Sequence, residues 1–284
     1  MKVSGFSFIR NAIKYDYPVV EAIRSILPLC DEVVVAVGNS DDDTLNLIQN
    51  IDPKIRIVET VWDDSLLNGL VLSNETNKAL KEVNKDSDWC FYIQGDEALH
   101  EDYIPIVKKA MEEYKDQENV DGLLFNYKHF YGSFDYIASS TKWYRREIRI
   151  IKNNSTIYSY GDAQGFRKND NEKLNVKHID AYIYHYGWVR PPEKMQLKSN
   201  SFEKLYHGTK ASSVDIDYSK IDVLTLFNQN HPSVMKERIS NKNWKFDQDI
   251  SKTNYTAKEL FKQAIKKITG GYILGEYKNY KIIK

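Results

Sequence analysis

The stretch from Asp88 to Leu99 constrains the fold most, because it is a short apolar run that stops at two adjacent acids. Residues 89–93 read Trp-Cys-Phe-Tyr-Ile, which is typical of a strand buried on both faces. Gly95 then lets the backbone turn or a neighbour approach closely. Asp96 and Glu97 are therefore expected just past the carboxyl end of a buried strand, where open α/β sheets bind their ligands. Two carboxylates there can hold a divalent cation or cap the next helix.

Strands and helices alternate through the first 120 residues. This order predicts an α/β fold with a mostly parallel central sheet flanked by helices. Right-handed crossovers would bring the strand ends, with the polar loops at Asn11, Asp41 to Asp43 and Asp96-Glu97, to one edge of the sheet. The predicted strands are Lys2 to Ile9, Val33 to Val37, Ile55 to Thr60 and the stretch above, and the predicted helices are Pro18 to Leu27, Thr44 to Asn50, Asn74 to Val83 and Tyr103 to Tyr114.

The pattern changes after residue 120. Gly122 to Tyr127 predicts a strand, Phe130 to Tyr136 an aromatic-rich loop, and Trp143 to Lys152 a half-exposed strand. From Pro191 onward the composition becomes helical and charged, and we expect helices at Glu193 to Leu205 and Ala257 to Ile268. We expect residues 1–190 to form the catalytic domain and residues 191–284 a helical C-terminal extension.

Bulk composition excludes several classes of protein. Forty basic and forty acidic residues cancel, so no overall charge draws the chain to nucleic acid. Cys30 and Cys90 form no CxxC pair and are expected to be free thiols of a reducing cytoplasm. The start of the chain lacks a signal peptide, and no apolar run approaches the ~20 residues of a spanning helix. The absence of GxxxxGK[ST], GxGxxG, HExxH and GxSxG disfavours P-loop kinases, dinucleotide dehydrogenases, zincins and α/β-hydrolases.

The polar pieces, in their order and spacing, resemble family 2 glycosyltransferases with the GT-A fold. They are Asn11, the run Gly38 to Thr44, Asn74 to Ala79 on a helix, and Gln94 to Glu97. The later segments Asp162 to Arg167, His185 to Trp188 and His231-Pro232 are similar to a bacterial subgroup of that family. The resemblance covers residues 2 to 190 and extends loosely into the tail. It implies an inverting enzyme of cell-surface glycan biosynthesis that moves a sugar from a nucleotide diphosphate to an acceptor hydroxyl.

The resemblance also implies a set of site residues. A nucleotide-sugar donor would lie across the strand ends, and Asp96, which matches the second acid of the family's Asp-x-Asp, would bind Mn²⁺ or Mg²⁺ with His185 as a further ligand. Gln94 stands where the family has its first acid, and this departure leaves the metal open. Asp96 as a helix cap is the alternative. The implied nucleotide-sugar contacts are Asn11, Asp41, Asp43, Asn77, Gln94, Asp96 and Arg190.

An inverting transfer needs a general base to deprotonate the attacking hydroxyl. The resemblance implies Asp162 for this role, because the family keeps its acceptor-side acids in the matching glycine-flanked segment. Glu147 is the second candidate, and a turn aspartate is the structural alternative for Asp162. The aromatic stretch Tyr127 to Tyr136, with Trp143 and Trp188, is expected either to form an acceptor platform or to fill core. Arg167 and Lys198, like Arg190, suit either phosphate binding or surface solvation.

Two other functions stay open. A sugar nucleotidyltransferase would be expected to carry a glycine-rich basic loop, which Phe6 to Lys14 lacks. A non-catalytic nucleotide- or glycan-binding relative is compatible with Gln94. The expected acceptor is a glycan or a lipid-linked glycan at the inner face of the membrane. The C-terminal segment would complete the acceptor site or mediate self-association, and Lys262 to Lys284 would form a packed amphipathic helix or touch the membrane weakly.

Overall fold

A computed structural model describes residues 1–140, 142–213, 223–246, 249, 260–261, 264–265, 268 and 278–284 of the chain. The strands are β1 (Val3–Ile9), β2 (Glu32–Gly38), β3 (Ile55–Thr60), β4 (Trp89–Tyr92), β5 (Glu97–Leu99), β6 (Gly122–Tyr131), β7 (Ser133–Ala138), β8 (Arg146–Lys152), β9 (Ile157–Tyr160), β10 (Gly165–Lys168), β11 (Glu172–Lys173), β12 (Asn175–Trp188), β13 (Leu224–Leu226) and β14 (Lys281–Ile282). The helices are α1 (Val19–Ile26), α2 (Thr44–Gln49), α3 (Leu70–Lys81), α4 (Ile104–Tyr114), α5 (Pro192–His207) and α6 (Lys236–Ser240).

The main sheet confirms the predicted α/β class with a parallel core. Strands β3, β2, β1 and β4 lie side by side and are parallel. The order continues through β8, β6, β7 and β13 with antiparallel pairs, while β12 runs parallel to β6. Strands β9, β10 and β11 form a separate small sheet. The carboxyl ends of the parallel strands therefore share one edge, as the sequence predicts.

Both faces of β2 and β4 are buried, which explains their continuous apolar sequences. In β2, Val33, Val35 and Val37 pack in one core cluster, and Val34 and Ala36 pack in another. The first cluster includes residues of α1 and α4, and the second includes α3 and the small sheet. Side chains that alternate between two apolar layers leave no polar face, so the period-two pattern of a half-exposed strand is missing.

Two predictions in the second half of the chain are wrong. Phe130 to Tyr136 is not a loop, because β6 continues to Tyr131 and β7 begins at Ser133 after a turn at Gly132, whose φ is +68°. Strand β8 is not half-exposed, since all its inner residues are buried, Arg149 included. Alternating aromatic residues suit strands, and a buried arginine with a partner charge reads in sequence like a surface residue.

The part of the chain after residue 190 adds strands to the sheet and provides helix α5, which covers the cleft. Strand β13 pairs with β7, and β14 pairs with β12. The predicted helix Glu193 to Leu205 is present as α5. Most of the predicted helix Ala257 to Ile268, and most of Lys262 to Lys284, lie outside the described residues. In the part of the chain that the structure describes, we find no helix long and apolar enough to cross a membrane.

Candidate functional site

A cleft of about 610 Å³ opens at the carboxyl ends of β1 and β4. Helix α5 and the end of β12 form its other walls. This is the edge where open α/β sheets bind ligands, and the volume suits a ligand of several rings. The residues that line the cleft include Phe8, Arg10, Trp62, Gln94, Asp96, Trp143, Tyr144, Asp162, His185, Gly187, Trp188, Lys198 and Glu203.

A tight turn after β4 presents Asp96 to the cleft. The Glu97 N–H donates to the Gln94 carbonyl (3.1 Å), and the Gln94 N–H donates to Glu97 Oε2 (3.1 Å). Gly95 lets this turn pack closely against β1, since a Cβ there would lie 2.9 Å from Ile9 Cδ1. The Asp96 carbonyl accepts from the Tyr186 N–H at 2.7 Å, which fixes the turn against β12.

Glu97 points away from the cleft into a buried ion pair. Its two oxygens accept from Arg149 Nη2 (2.8 Å) and Nε (2.9 Å), and both side chains are fully buried. Tyr127 Oη donates to the same carboxylate at 2.7 Å. The two adjacent acids of the sequence thus have separate positions, Glu97 in the interior and Asp96 at the cleft.

Gln94 fits its surroundings as an amide. Its Nε2 lies 3.2 Å from Tyr92 Oη and 3.2 Å from the carbonyl of Ala163, and it donates to both. A carboxylate at this position would face the Ala163 carbonyl with no proton between the two oxygens. The Ala163 carbonyl therefore favours a glutamine over an acid at position 94.

Three basic groups surround the Asp96 carboxylate. Lys198 Nζ donates to Oδ2 at 3.0 Å, Arg190 Nη2 lies 3.9 Å from Oδ2, and His185 Nε2 lies 3.8 Å from Oδ1. Burial alone would raise the pKa of Asp96, but the positive charge of Lys198 and its neighbours outweighs burial and holds this pKa well below its usual range. Asp96 is therefore ionised at neutral pH.

The proton positions on His129 and His185 follow from their hydrogen bonds. His129 Nε2 lies 2.6 Å from the Tyr144 carbonyl, which only accepts, so Nε2 carries the proton. Burial, with the neighbouring His185, lowers the pKa of His129 well below its usual value, so its Nδ1 is an acceptor. His185 Nδ1, 3.0 Å away, must then donate to it. Burial also lowers the pKa of His185, so its Nε2 keeps a lone pair.

The His185 lone pair and the Asp96 carboxylate thus face each other as two acceptors, and together they would supply two ligands to a cation. Gly187 keeps the space beside them open, because a Cβ there would lie 2.5 Å from His185 Nε2 and 3.1 Å from Asp96 Oδ2. Among the described residues no group of three or more His, Cys, Asp or Glu could hold a metal. A divalent cation beside Asp96 and His185 would need its remaining ligands from oxygen atoms of a bound molecule.

Arg190 lies behind this site. It is fully buried, donates to the carbonyls of Tyr15 (2.7 Å) and Gly187 (3.2 Å), and stacks 4.7 Å from the Tyr17 ring centre. Its guanidinium therefore fixes the backbone on both sides of the cleft and adds positive charge next to Asp96.

The structure does not bring the other predicted nucleotide residues to the wall of this cleft. The Asn11 side chain accepts from the Asp41 N–H (2.8 Å), and Asp41 pairs with Lys14 (2.5 Å) on the surface. Asp43 lines a separate shallow pocket with residues of α1 and α2. Asn77 bonds both backbone groups of Ser159 (2.7 and 2.8 Å) and so ties α3 to β9.

Two carboxylates besides Asp96 line the cleft. Asp162 is exposed there and accepts from Tyr206 Oη at 3.0 Å. Glu203, on α5, is the second and lies 3.6 Å from His207. Glu147 is buried on β8 beside Gly165 and does not line the cleft. Arg167 also lies elsewhere, bonded to Asn279.

Several residues of the site escape sequence reasoning. Arg10 stacks on Trp62 with 4.2 Å between its Cζ and the ring centre, and both line the cleft beside Phe8. Their positions just after β1 and β3 are the only sequence signal, because neither belongs to a polar cluster. His129 lies within an aromatic stretch, and only its register opposite His185 in β12 identifies its role.

No protein-family model matches the chain, and no curated protein matches it either. Among solved structures it is similar to S. aureus TarS, with a TM-score of 0.45 and 14% identity over 72% of this chain and 39% of that one. TarS 1-349 in complex with UDP-GlcNAc gives a TM-score of 0.42 and 16% identity over 72% and 64%. Glucosyl-3-phosphoglycerate synthase from Mycobacterium tuberculosis, in complex with Mn²⁺, UDP and phosphoglyceric acid, gives 0.31 and 19% over 46% and 43%. The chain thus spans less than two thirds of the length of each of these structures.

Proposed function

We propose that this chain is a glycosyltransferase of the GT-A type, which transfers a sugar from a nucleoside diphosphate to an acceptor hydroxyl. The observation that carries the proposal is the pair of facing acceptors, Asp96 and His185, beside Lys198 and Arg190 at the carboxyl ends of parallel strands. A diphosphate with a divalent cation satisfies both halves of this arrangement, since the cation binds the acceptors, the phosphate oxygens bind the Lys198 ammonium, and buried Arg190 adds positive charge from behind.

The cleft offers separate places for the parts of the donor. The stacked pair of Arg10 and Trp62, with Phe8, provides flat surfaces for a nucleobase at one end. Asp96 and His185 would hold Mn²⁺ or Mg²⁺, which supplies neutralising charge for the leaving diphosphate. Lys198 contributes a positive charge at the same place from this chain itself.

A carboxylate at the cleft wall would act as the general base. In the proposed inverting step, the acceptor oxygen bonds to the anomeric carbon, the bond from that carbon to the diphosphate oxygen breaks with its electron pair, and the hydroxyl proton passes to the base. Asp96 is unsuited to this role because Lys198 already neutralises it. Asp162 is the first candidate and Glu203 the second, since both line the cleft.

The aromatic wall formed by Trp143, Tyr144 and Trp188 is the proposed acceptor surface. Flat rings with a polar edge suit the faces of a sugar, so a glycan or lipid-linked glycan in cell-surface polysaccharide assembly is the proposed acceptor class. We place the enzyme in the cytoplasm, at the inner face of the membrane where such acceptors are assembled. Residues 1–190 would carry the donor site and residues 191–284 would complete the acceptor side, since α5 already covers the cleft.

The test is calorimetric binding of nucleoside diphosphates with and without Mn²⁺, followed by turnover of the matching nucleotide sugar. UDP is the first nucleotide to use, since glucosyl-3-phosphoglycerate synthase is in complex with UDP and TarS 1-349 with UDP-GlcNAc. Binding of one nucleotide that tightens with Mn²⁺, and release of that nucleotide on turnover, supports the proposal. No binding of any nucleotide refutes it. Pyrophosphate release from a nucleoside triphosphate and a sugar phosphate would instead identify a nucleotidyltransferase.

The base is assigned by two matched variants. Asp162→Asn should keep nucleotide binding and lower kcat by about 10²- to 10⁴-fold, as expected when a general base is removed. Glu203→Gln, on α5, serves as the comparison. If Glu203→Gln loses turnover and Asp162→Asn does not, the base is Glu203. Tight nucleotide binding without turnover in the unmodified protein would identify a non-catalytic binding protein.

A further inference from the structure

We propose that Lys198 makes divalent-cation binding at Asp96 conditional on the diphosphate of the donor, an inference that rests on the proposed function. In the ligand-free cleft the lysine would repel a free cation. When a diphosphate is present, its oxygens would lie between the two positive charges and bind both. The cation and the nucleotide would then bind tightly only together.

The position of the Lys198 ammonium is fixed by the structure. Its Nζ donates to Asp96 Oδ2 (3.0 Å) and to the Gly187 carbonyl (2.9 Å), and 13% of the side chain is exposed. The rings of Tyr17 and Phe202 flank it at 5.1 and 5.3 Å. An ammonium has three N–H donors, so a third remains for a ligand in the cleft.

Asp96 uses its two oxygens for different partners. Oδ1 faces the lone pair of His185, and Oδ2 binds Lys198. A cation held by Oδ1 and His185 would therefore be separated from the lysine ammonium by little more than the width of the carboxylate. Repulsion between like charges at such a distance is large in a site that is mostly closed to water.

The net charge of the side chains around Asp96 also favours a diphosphate over a free cation. Asp96 contributes one negative charge, and Lys198 and Arg190 contribute two positive charges, so these three side chains sum to 2 − 1 = +1. A cluster with this net charge attracts a diphosphate and repels a free divalent cation. Since coupling between two ligands is reciprocal, a nucleotide that raises the affinity for the cation gains the same factor in its own affinity.

The experiment measures Mn²⁺ binding by calorimetry and by the EPR signal of free Mn²⁺, with and without UDP. Lys198→Gln removes the charge and keeps a polar side chain of similar reach. Without nucleotide, its affinity for Mn²⁺ should exceed that of the unmodified protein by about tenfold or more, because the repulsion is gone. Its affinity for UDP without metal should fall by about tenfold, since a charged phosphate contact is lost.

Two further variants control for folding and for charge in general. Lys198→Arg keeps the positive charge and should behave like the unmodified protein without nucleotide. Lys204→Gln removes a charge from the exposed part of the same helix and should change neither affinity. An unchanged or undetectable Mn²⁺ affinity of nucleotide-free Lys198→Gln overturns the inference. If no variant binds UDP, the proposed function fails, while the Mn²⁺ comparison without nucleotide still decides the role of Lys198.

Discussion

Glu97→Gln should destabilise the protein strongly, because it removes the charge that compensates a buried arginine. Arg149 is fully buried and also donates to the carbonyls of Ile148 (3.0 Å) and Gln164 (3.1 Å), so its guanidinium is held in place and has no route to water. The glutamine can accept through one oxygen only, and its amide nitrogen would face an N–H group of Arg149. At least one charged donor would then be left without a partner.

The size of the loss follows from that unpaired charge. Breaking a buried ion pair by removing one partner costs about 3 to 5 kcal/mol. The loss should be in this range because the pair makes two hydrogen bonds, at 2.8 and 2.9 Å, with no exposure of either side chain. For a chain of this length, about 3 kcal/mol lowers the midpoint of thermal unfolding by roughly 6 °C or more.

Urea unfolding followed by circular dichroism measures this loss, with Glu112→Gln on the exposed face of α4 as the matched control. The double variant Glu97→Gln/Arg149→Met should lose less than the sum of its single variants, since it leaves no buried charge. A loss below about 1 kcal/mol for Glu97→Gln, or strict additivity in the double variant, would refute this account of the pair.

Three further predictions concern Gly187, His129 and His231. Gly187→Ala should weaken Mn²⁺ binding in the presence of UDP by at least about tenfold, because the new Cβ would lie 2.5 Å from His185 Nε2. Calorimetry that gives an unchanged Mn²⁺ affinity would contradict the cation site. His129→Phe removes the acceptor that fixes the His185 proton and should lower the same affinity about 10- to 100-fold, with thermal unfolding measured as a check on folding. Burial lowers the pKa of His231 to about 4, below its value of about 6.5 in the unfolded chain, so the unfolded chain takes up a proton first as the pH falls. The stability that neutral His231 contributes at neutral pH should therefore be lost as the pH falls from about 6.5 to about 4. In urea titrations His231→Gln should show a smaller loss between about pH 7 and pH 5, and equal losses in both proteins would count against a neutral buried His231.

The sequence predicts the parallel half of the fold well, because its signals there are local. The apolar runs of β2 and β4 and the polar residues at their ends depend only on neighbours in the chain. Asp96 is predicted at the cleft for this reason, and the turn that presents it contains the expected glycine. The sequence is less informative where a residue depends on a distant partner. Arg149 suggested exposure of β8 because nothing nearby in the chain indicates its pairing with Glu97.

Lys198 and His129 illustrate the same limit within the site. The sequence leaves Lys198 between phosphate binding and surface solvation, and only the packing of α5 over the cleft brings it to Asp96. His129 is one ring among many aromatic residues until the pairing of β6 with β12 places it opposite His185. The positions of such residues depend on strand register and helix packing, and both are set by contacts between residues that are far apart in the chain.

The register of β12 also has a consequence for the order in which the protein gains its properties during folding. His185 pairs with Glu97 of β5 on one side and with His129 of β6 on the other, and the two histidines are 56 residues apart in the chain. Because loop closure over such separations is slow, these pairings belong to the later events of refolding. A slip of β12 by one residue would turn His185 to the opposite face of the sheet. Competence to bind a cation would therefore appear only with the correctly registered native sheet, and the ion could serve as a spectroscopic reporter of the last step of folding.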